Sequence, residues 1–105
     1  MIKTYHKLVR DKIPQIIRQG GNSCTTCVLD TEEYLQKLDQ KLQEELNEYQ
    51  ESKSPEELAD LLEVMMAAAK ARGYQWQEIE NIRLAKHEKR GGFEQRILLQ
   101  SVEEV

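Results

Sequence analysis

Two stretches with apolar residues at helical spacing, joined by a very short polar link, constrain the fold of this 105-residue chain most strongly. One face of the first stretch carries five apolar residues: Leu35, Leu38, Leu42, Leu46 and Tyr49. The main stripe of the second stretch carries six: Leu58, Leu61, Leu62, Met65, Met66 and Ala69. This spacing is typical of amphipathic α-helices. Because only about three residues join the two helices, they are expected to form an antiparallel hairpin.

Capping residues predict where these two helices begin. Asp30 and the acidic residues that follow it form an N-terminal cap for a helix that runs to about Ser52. Ser54 predicts the next N-cap, with Pro55 at the first helical position and Glu57 at the capping-box position. Two interpretations of Glu57 therefore remain open at this point, helix capping and metal ligation.

The N-terminal part is predicted to be an irregular arm followed by a short helix. The arm extends to about Asp11, and a helix with Pro14 in its first turn ends at Gly20-Gly21. The loop that follows contains Cys24 and Cys27. Because the chain has no second CxxC motif, we do not expect this pair to hold zinc or to act as a redox centre.

A fourth helix is predicted from Trp76 to Arg90, and the glycines at 91 and 92 end it. Its side chains expected to face inward are Trp76, Ile79 and Ile82. An apolar tail follows, expected to be a short strand or an arm that packs on a partner. Its apolar residues are Phe93, Ile97, Leu98, Leu99 and Val102.

Length and composition indicate a single all-α domain over residues 1–105. The net charge of −4 argues against a nucleic-acid-binding protein. The sequence shows no signal peptide and no apolar run of about 18 residues, so we expect a cytoplasmic protein that does not enter a membrane. The helix from Pro55 to about Arg72 is apolar on two flanks, and one short chain offers few helices to cover it. A homodimer is therefore expected, with a tetramer as the alternative.

Two pairs of carboxylates on the predicted hairpin indicate a metal site. Glu45 and Glu48 are three residues apart, as are Glu57 and Asp60, so each pair shares one face of its helix. Glu45 lies inside the apolar stripe, where a carboxylate must be paired or lose its hydration. A divalent cation such as Mg²⁺ accounts for this cluster better than the few lysines of the same helix. Glu44 points largely away from the stripe and is expected to be solvated.

Three motifs along the chain, taken in order, carry a resemblance to a known enzyme family. The acidic pattern is EExxE over residues 44–48, followed by ExxD over residues 57–60. The opening segment YHKLVRDKIP covers residues 5–14, and the basic segment KRGGF covers residues 89–93. This set resembles the all-α nucleoside triphosphate pyrophosphohydrolases called MazG-like, in particular the phosphoribosyl-ATP pyrophosphohydrolase-like subgroup. The resemblance extends over almost the whole chain.

The resemblance implies a four-helix core completed by dimerisation. It also implies a Mg²⁺-dependent enzyme, with Mn²⁺ as an alternative, that splits nucleoside triphosphates into monophosphate and pyrophosphate and so cleanses the nucleotide pool. The metal ligands it implies are Glu45, Glu48, Glu57 and Asp60. Glu44 and Glu45 would be the catalytic carboxylates, with Glu44 activating water or holding a second metal. The residues implied to contact phosphate are Lys7, Arg10, Lys86, Lys89 and Arg90. The alternatives are a non-catalytic helical interaction module and a metal-binding regulator without turnover.

Overall fold

A computed structural model describes residues 1–104, and over this range the chain contains four α-helices and no strand. Val105, the last residue of the predicted domain, lies outside the described residues. The helices are α1 (Ile13–Gln19), α2 (Thr31–Ser52), α3 (Pro55–Ala71) and α4 (Trp76–Arg90). The all-α class is therefore confirmed, and the predicted helix ends agree with the structure to within one or two residues. No helix in the described range is both long and apolar enough to cross a membrane.

Local capping explains where α2 begins and how the chain turns into α3. The Asp30 carboxylate accepts a hydrogen bond of 2.9 Å from the Glu33 backbone N–H, as the sequence predicts. At the other end Lys53 adopts a left-handed conformation with φ of 59°, and its N–H donates to the Tyr49 carbonyl. Pro55 then occupies the first turn of α3, where a missing N–H costs nothing.

The predicted capping box at the start of α3 is wrong. Ser54 is the N-cap residue, but its side chain makes no capping hydrogen bond. The hydroxyl groups of Ser52 and Ser54 contact each other instead, with 3.4 Å between their oxygens. Because Glu57 is not engaged in a capping box, its carboxylate is available to the acidic cluster.

The two long helices form the predicted hairpin, and α2 packs along α3. Leu38 of α2 is the one buried hydrophobic residue in the described range, with 3% of its surface exposed. Helix α4 packs on α3 alone, and α1 packs on no other helix. A single chain thus contains a helical hairpin with one further helix against it. The predicted four-helix bundle is one completed by a second chain, and it stays a prediction.

The face of α3 that packs inward differs from the stripe expected from the sequence. The half-buried side of α3 is the alanine-rich flank, which includes Val64, Ala67 and Ala68. Four large residues of the expected stripe are instead 39–48% exposed: Leu58, Leu62, Met65 and Met66. Small side chains let α2 approach α3 closely. The flank with small side chains therefore packs against α2, and the larger side chains of the other stripe remain uncovered.

The end of the chain, from residue 81 to residue 104, is not covered by the hairpin. Every residue from 81 to 104 is exposed, which includes Ile82 at 54%. The prediction that Ile82 faces inward is therefore wrong, whereas Trp76 and Ile79 are half-buried. The apolar tail forms no strand in the described residues. The radius of gyration is 18.8 Å, against about 13 Å for a compact domain of this length.

Candidate metal centre

Three carboxylates from the two hairpin helices meet where α2 ends and α3 begins. Glu45, Glu57 and Asp60 each place one carboxylate oxygen within 4.8 Å of the others. Glu45 comes from the packed face of α2, and the other two come from the first turns of α3. The tight turn at Lys53 and Ser54 brings these segments together, because the end of one helix must lie beside the start of the next. Three of the four predicted ligands are thus brought together.

Glu45 is buried and incompletely paired. Only 6% of its surface is exposed, and its Oε1 lies 3.4 Å from the Lys41 ammonium. Its Oε2 is buried and has no hydrogen-bond partner. A buried polar atom without a partner costs about 1–3 kcal/mol, and more when it is charged. This unpartnered oxygen belongs to one of the three clustered carboxylates, so a proton or a cation bound there would relieve the cost of its burial.

The protonation tendencies of the cluster follow from burial and mutual repulsion. The pKa of Glu45 is raised by burial and by the charges of Glu48 and Asp60, and Lys41 opposes this rise. The pKa of Glu57 is raised by loss of hydration first and then by Glu48, Asp60 and Glu45. Carboxylates that repel one another in this way hold protons or a cation.

Glu48 lies at the solvent edge of the cluster rather than inside it. Its side chain is exposed, and it is not one of the three carboxylates whose oxygens lie within 4.8 Å of one another. Its charge nevertheless raises the pKa of both Glu45 and Glu57. Glu48 is therefore close enough to act on the cluster from its open side.

Glu44 is not solvated as the sequence suggested. It is half-buried, and its two carboxylate oxygens contact Lys7 at 2.9 Å and Lys41 at 3.3 Å. Burial raises the pKa of Glu44, but the hydrogen bonds and charges of the two lysines outweigh it and lower the pKa overall. The pKa of Glu44 is thus shifted in the opposite direction from the pKa values of Glu45 and Glu57.

The N-terminal arm lies directly over the acidic cluster. Arg10 donates to the Asp60 carboxylate at 2.7 Å, and Lys7 contacts Glu44 on the other helix. Together with the helices, the arm encloses a cleft of about 310 Å³ whose lining includes Leu38, Glu45 and Asp60. The two basic arm residues predicted to meet phosphate are therefore located at the carboxylates.

The basic residues of α4 lie apart from the cluster within one chain. Lys86, Lys89 and Arg90 are exposed on the last turns of the helix. Over residues 1–104 none of them forms an ion pair. The structure thus gathers the two arm residues at the site but not the three residues of α4.

Cys24 and Cys27 take no part in this centre. Both are free thiols, and the Cys24 sulfur lies 3.9 Å from the Pro14 carbonyl oxygen. In the part of the chain that the structure describes, the residues grouped at metal-ligand distances are all carboxylates.

Lys41 is a site residue that reasoning from the sequence undervalued. It lies three residues before Glu44 and four before Glu45, and both of these spacings place side chains side by side on a helix. Its ammonium contacts Oε2 of Glu44 and Oε1 of Glu45, and Oε2 of Glu45 stays without a hydrogen-bond partner. The spacing alone was sufficient to identify Lys41 as the partner of both residues.

The cluster offers only oxygen ligands, which suits Mg²⁺ or Mn²⁺, and cationic side chains stand beside it. Such a site can bind a divalent cation together with a strongly anionic group.

Comparison with known proteins found no matching family model, no matching curated protein and no matching solved structure. The resemblance to MazG-like enzymes therefore stays a prediction.

Proposed function

We propose that this protein is a Mg²⁺-dependent nucleoside triphosphate pyrophosphohydrolase that cleanses the nucleotide pool of the cytoplasm. The observation that carries the proposal is the unpartnered Oε2 of buried Glu45, within an acidic cluster on a helical hairpin. Glu45, Glu57 and Asp60 would hold the cation, and Glu48 stands beside them to complete the set. When bound, the cation would neutralise phosphate charge and acidify a water molecule.

The chain's own side chains have distinct tasks in this proposal. Glu44 is ionised at neutral pH and would accept the proton of the attacking water, although the lysines that lower its pKa make it a weaker base than an ordinary glutamate. The water oxygen attacks the α-phosphorus, the bond to the bridging oxygen breaks, and pyrophosphate leaves with the bond electrons. Lys7 and Arg10 stand at the edge of the cleft, and phosphate oxygens can replace the carboxylates as their partners.

A second copy of the chain would complete the core. A large apolar surface on α3 is uncovered, and a chain whose described residues include one buried hydrophobic side chain gains stability from association. In such a homodimer the two hairpins supply the four helices of the expected bundle. The exposed basic residues of α4 would then reach phosphate at the site of the partner.

The dimer predicts a specific response to a charge on α3. Sedimentation at micromolar concentration should give a mass near twice 12.3 kDa. Leu62→Glu places a charge on the uncovered face and should shift the mass towards that of one chain. Val28→Glu is the matched control, because Val28 is a fully exposed apolar residue of a loop. A folded monomer in the parent protein would contradict the dimer.

The bond that breaks is the decisive test of the proposed activity. Each of a panel of nucleoside triphosphates is incubated with Mg²⁺, and the products are separated at early times. Pyrophosphate and nucleoside monophosphate should appear before orthophosphate, and an α–β methylene analogue should remain intact. Orthophosphate as the first product, or cleavage of the analogue, would show that a different bond is hydrolysed.

The arm favours one alternative, a metal-responsive regulator. Arg10 and Lys7 already neutralise part of the acidic site, so a cation could displace the arm without any chemistry following. This module would gain thermal stability in Mg²⁺ but release no product from any nucleotide. A helical module without metal binding would show neither response.

A further inference from the structure

An aromatic groove lies next to the carboxylate cleft and has no part in the chemistry proposed above. It has a volume of about 800 Å³ and is lined by residues from the start of α2, the end of α3 and the start of α4. Its aromatic lining consists of Tyr34, Tyr74 and Trp76. This volume lies within the range of about 300–1,000 Å³ typical of small-molecule sites.

The groove and the cleft form one continuous surface. Four residues line both of them: Asp11, Tyr34, Glu63 and Ala67. Glu63 follows Asp60 by less than one turn of α3, and Ala71 at the far end of the groove lies about 16 Å further along the helix than Asp60. A molecule with one end at the carboxylates can therefore extend into the groove along the residues that the two share.

The backbone fixes the aromatic end of the groove. Gly73 ends α3 with φ of 87°, a conformation that few other residues adopt. The N–H of Tyr74 then donates to the Ala69 carbonyl at 2.9 Å, which holds the turn against the helix. Trp76 begins α4 directly after this turn. Tyr34 is half-buried on α2, so neighbouring residues of the fold hold its ring in place without a ligand.

From this arrangement we infer that the groove binds the nucleobase of the substrate, with the phosphates directed to the carboxylates. The inference rests on the proposed function, because that function places a nucleotide at the adjoining cleft. Flat aromatic rings stack on bases, and this contact does not require a particular base. Glu63 and Lys70 stand at the rim as an acceptor and a donor for the polar edge of the base.

Trp76 is the single tryptophan of the chain, so tryptophan fluorescence reports on binding at this groove. Nucleosides, which carry no phosphate, are titrated with a chelator and no divalent metal, and they should quench the fluorescence of Trp76 in a saturable way. Inorganic tripolyphosphate should not quench it. Tyr34→Leu keeps apolar bulk but removes the flat ring, so the dissociation constant should rise about tenfold, as for the loss of one stacked contact. Tyr34→Phe should bind like the parent.

Tyr49→Leu is the matched control, because Tyr49 lies on the same helix about 22 Å away. It should leave quenching unchanged. Saturable quenching without pyrophosphate release would uphold the groove and reject the enzyme. Pyrophosphate release without quenching, or equal loss in the Tyr34→Leu and Tyr49→Leu variants, would overturn the groove as the base site.

Discussion

Glu45→Gln should make the metal-free protein more stable and at the same time abolish its response to Mg²⁺. The substitution keeps the shape of a buried side chain and removes its charge. The raised pKa of Glu45 shows that the fold opposes this charge, through burial and through Glu48 and Asp60. Relief on the order of 1 kcal/mol would raise the melting temperature by about 4–8 °C.

The stabilisation by Mg²⁺ should be lost in Glu45→Gln, although the metal-free variant is more stable than the parent. A ligand present at 100 times its dissociation constant stabilises a fold by about 2.7 kcal/mol, so Mg²⁺ should raise the melting temperature of the parent protein. In Glu45→Gln this gain should be absent, because the amide is a poor ligand and the unpartnered oxygen is gone. Turnover should fall by about 100-fold or more, since a bound metal contributes several kcal/mol.

Glu51→Gln provides the comparison for these measurements. Glu51 lies at the exposed end of the same helix and is not one of the three clustered carboxylates. Its substitution should leave stability, metal response and turnover almost unchanged. If Glu45→Gln retained full activity in Mg²⁺, the assignment of the metal centre would be wrong. If it lowered the melting temperature without metal, the Lys41–Glu45 pair would dominate over the repulsion.

The positions of the helices were predictable from the sequence because the signals that set them are local. Asp30 binds an amide three residues away, Pro55 fits only the first turn of a helix, and Gly91 stops α4. The burial of Glu45 was also predictable, because its position in the apolar stripe follows from helical periodicity. These features depend on neighbours along the chain and not on distant contacts.

The packed face of α3 could not be predicted from periodicity. Both flanks of the helix are apolar, so the pattern does not distinguish the side that meets α2 from the side left uncovered. The side that packs is set by how closely the two helices can approach each other. That distance depends on the size of side chains such as Ala67 and Ala68. The exposed face with Leu62 and Met65 is the consequence.

The position of the arm likewise depends on contacts far apart in sequence. Lys7 and Glu44 are 37 residues apart, and Arg10 and Asp60 are 50 residues apart. No local pattern specifies such pairs, although the basic arm and the acidic cluster are complementary in charge. The aromatic groove has the same origin, because Tyr34 and Trp76 line one groove only after the chain has folded.

Glu44→Gln should have the opposite effect on stability from Glu45→Gln and an equally large effect on turnover. Glu44 pairs with Lys7 and Lys41, and these pairs lower its pKa. Because the folded pKa lies below the ordinary value of 4.5, the pairs stabilise the fold above that value. This contribution is lost as the pH falls through the lowered pKa. Partly exposed pairs contribute up to about 1 kcal/mol each, so the variant should melt a few degrees lower at neutral pH.

The effect on turnover identifies the task of Glu44. Loss of a general base lowers kcat by about 10²- to 10⁴-fold, whereas the stabilisation by Mg²⁺ should remain because Glu45, Glu57 and Asp60 are intact. In the parent protein kcat should fall only at acidic pH, as Glu44 becomes protonated, and the variant should lack this acid limb. Glu44→Asp keeps the charge and should recover part of the activity. A Glu44→Gln protein with unchanged kcat and a lower melting temperature would show that Glu44 only anchors the arm, and another group would then take the proton from water.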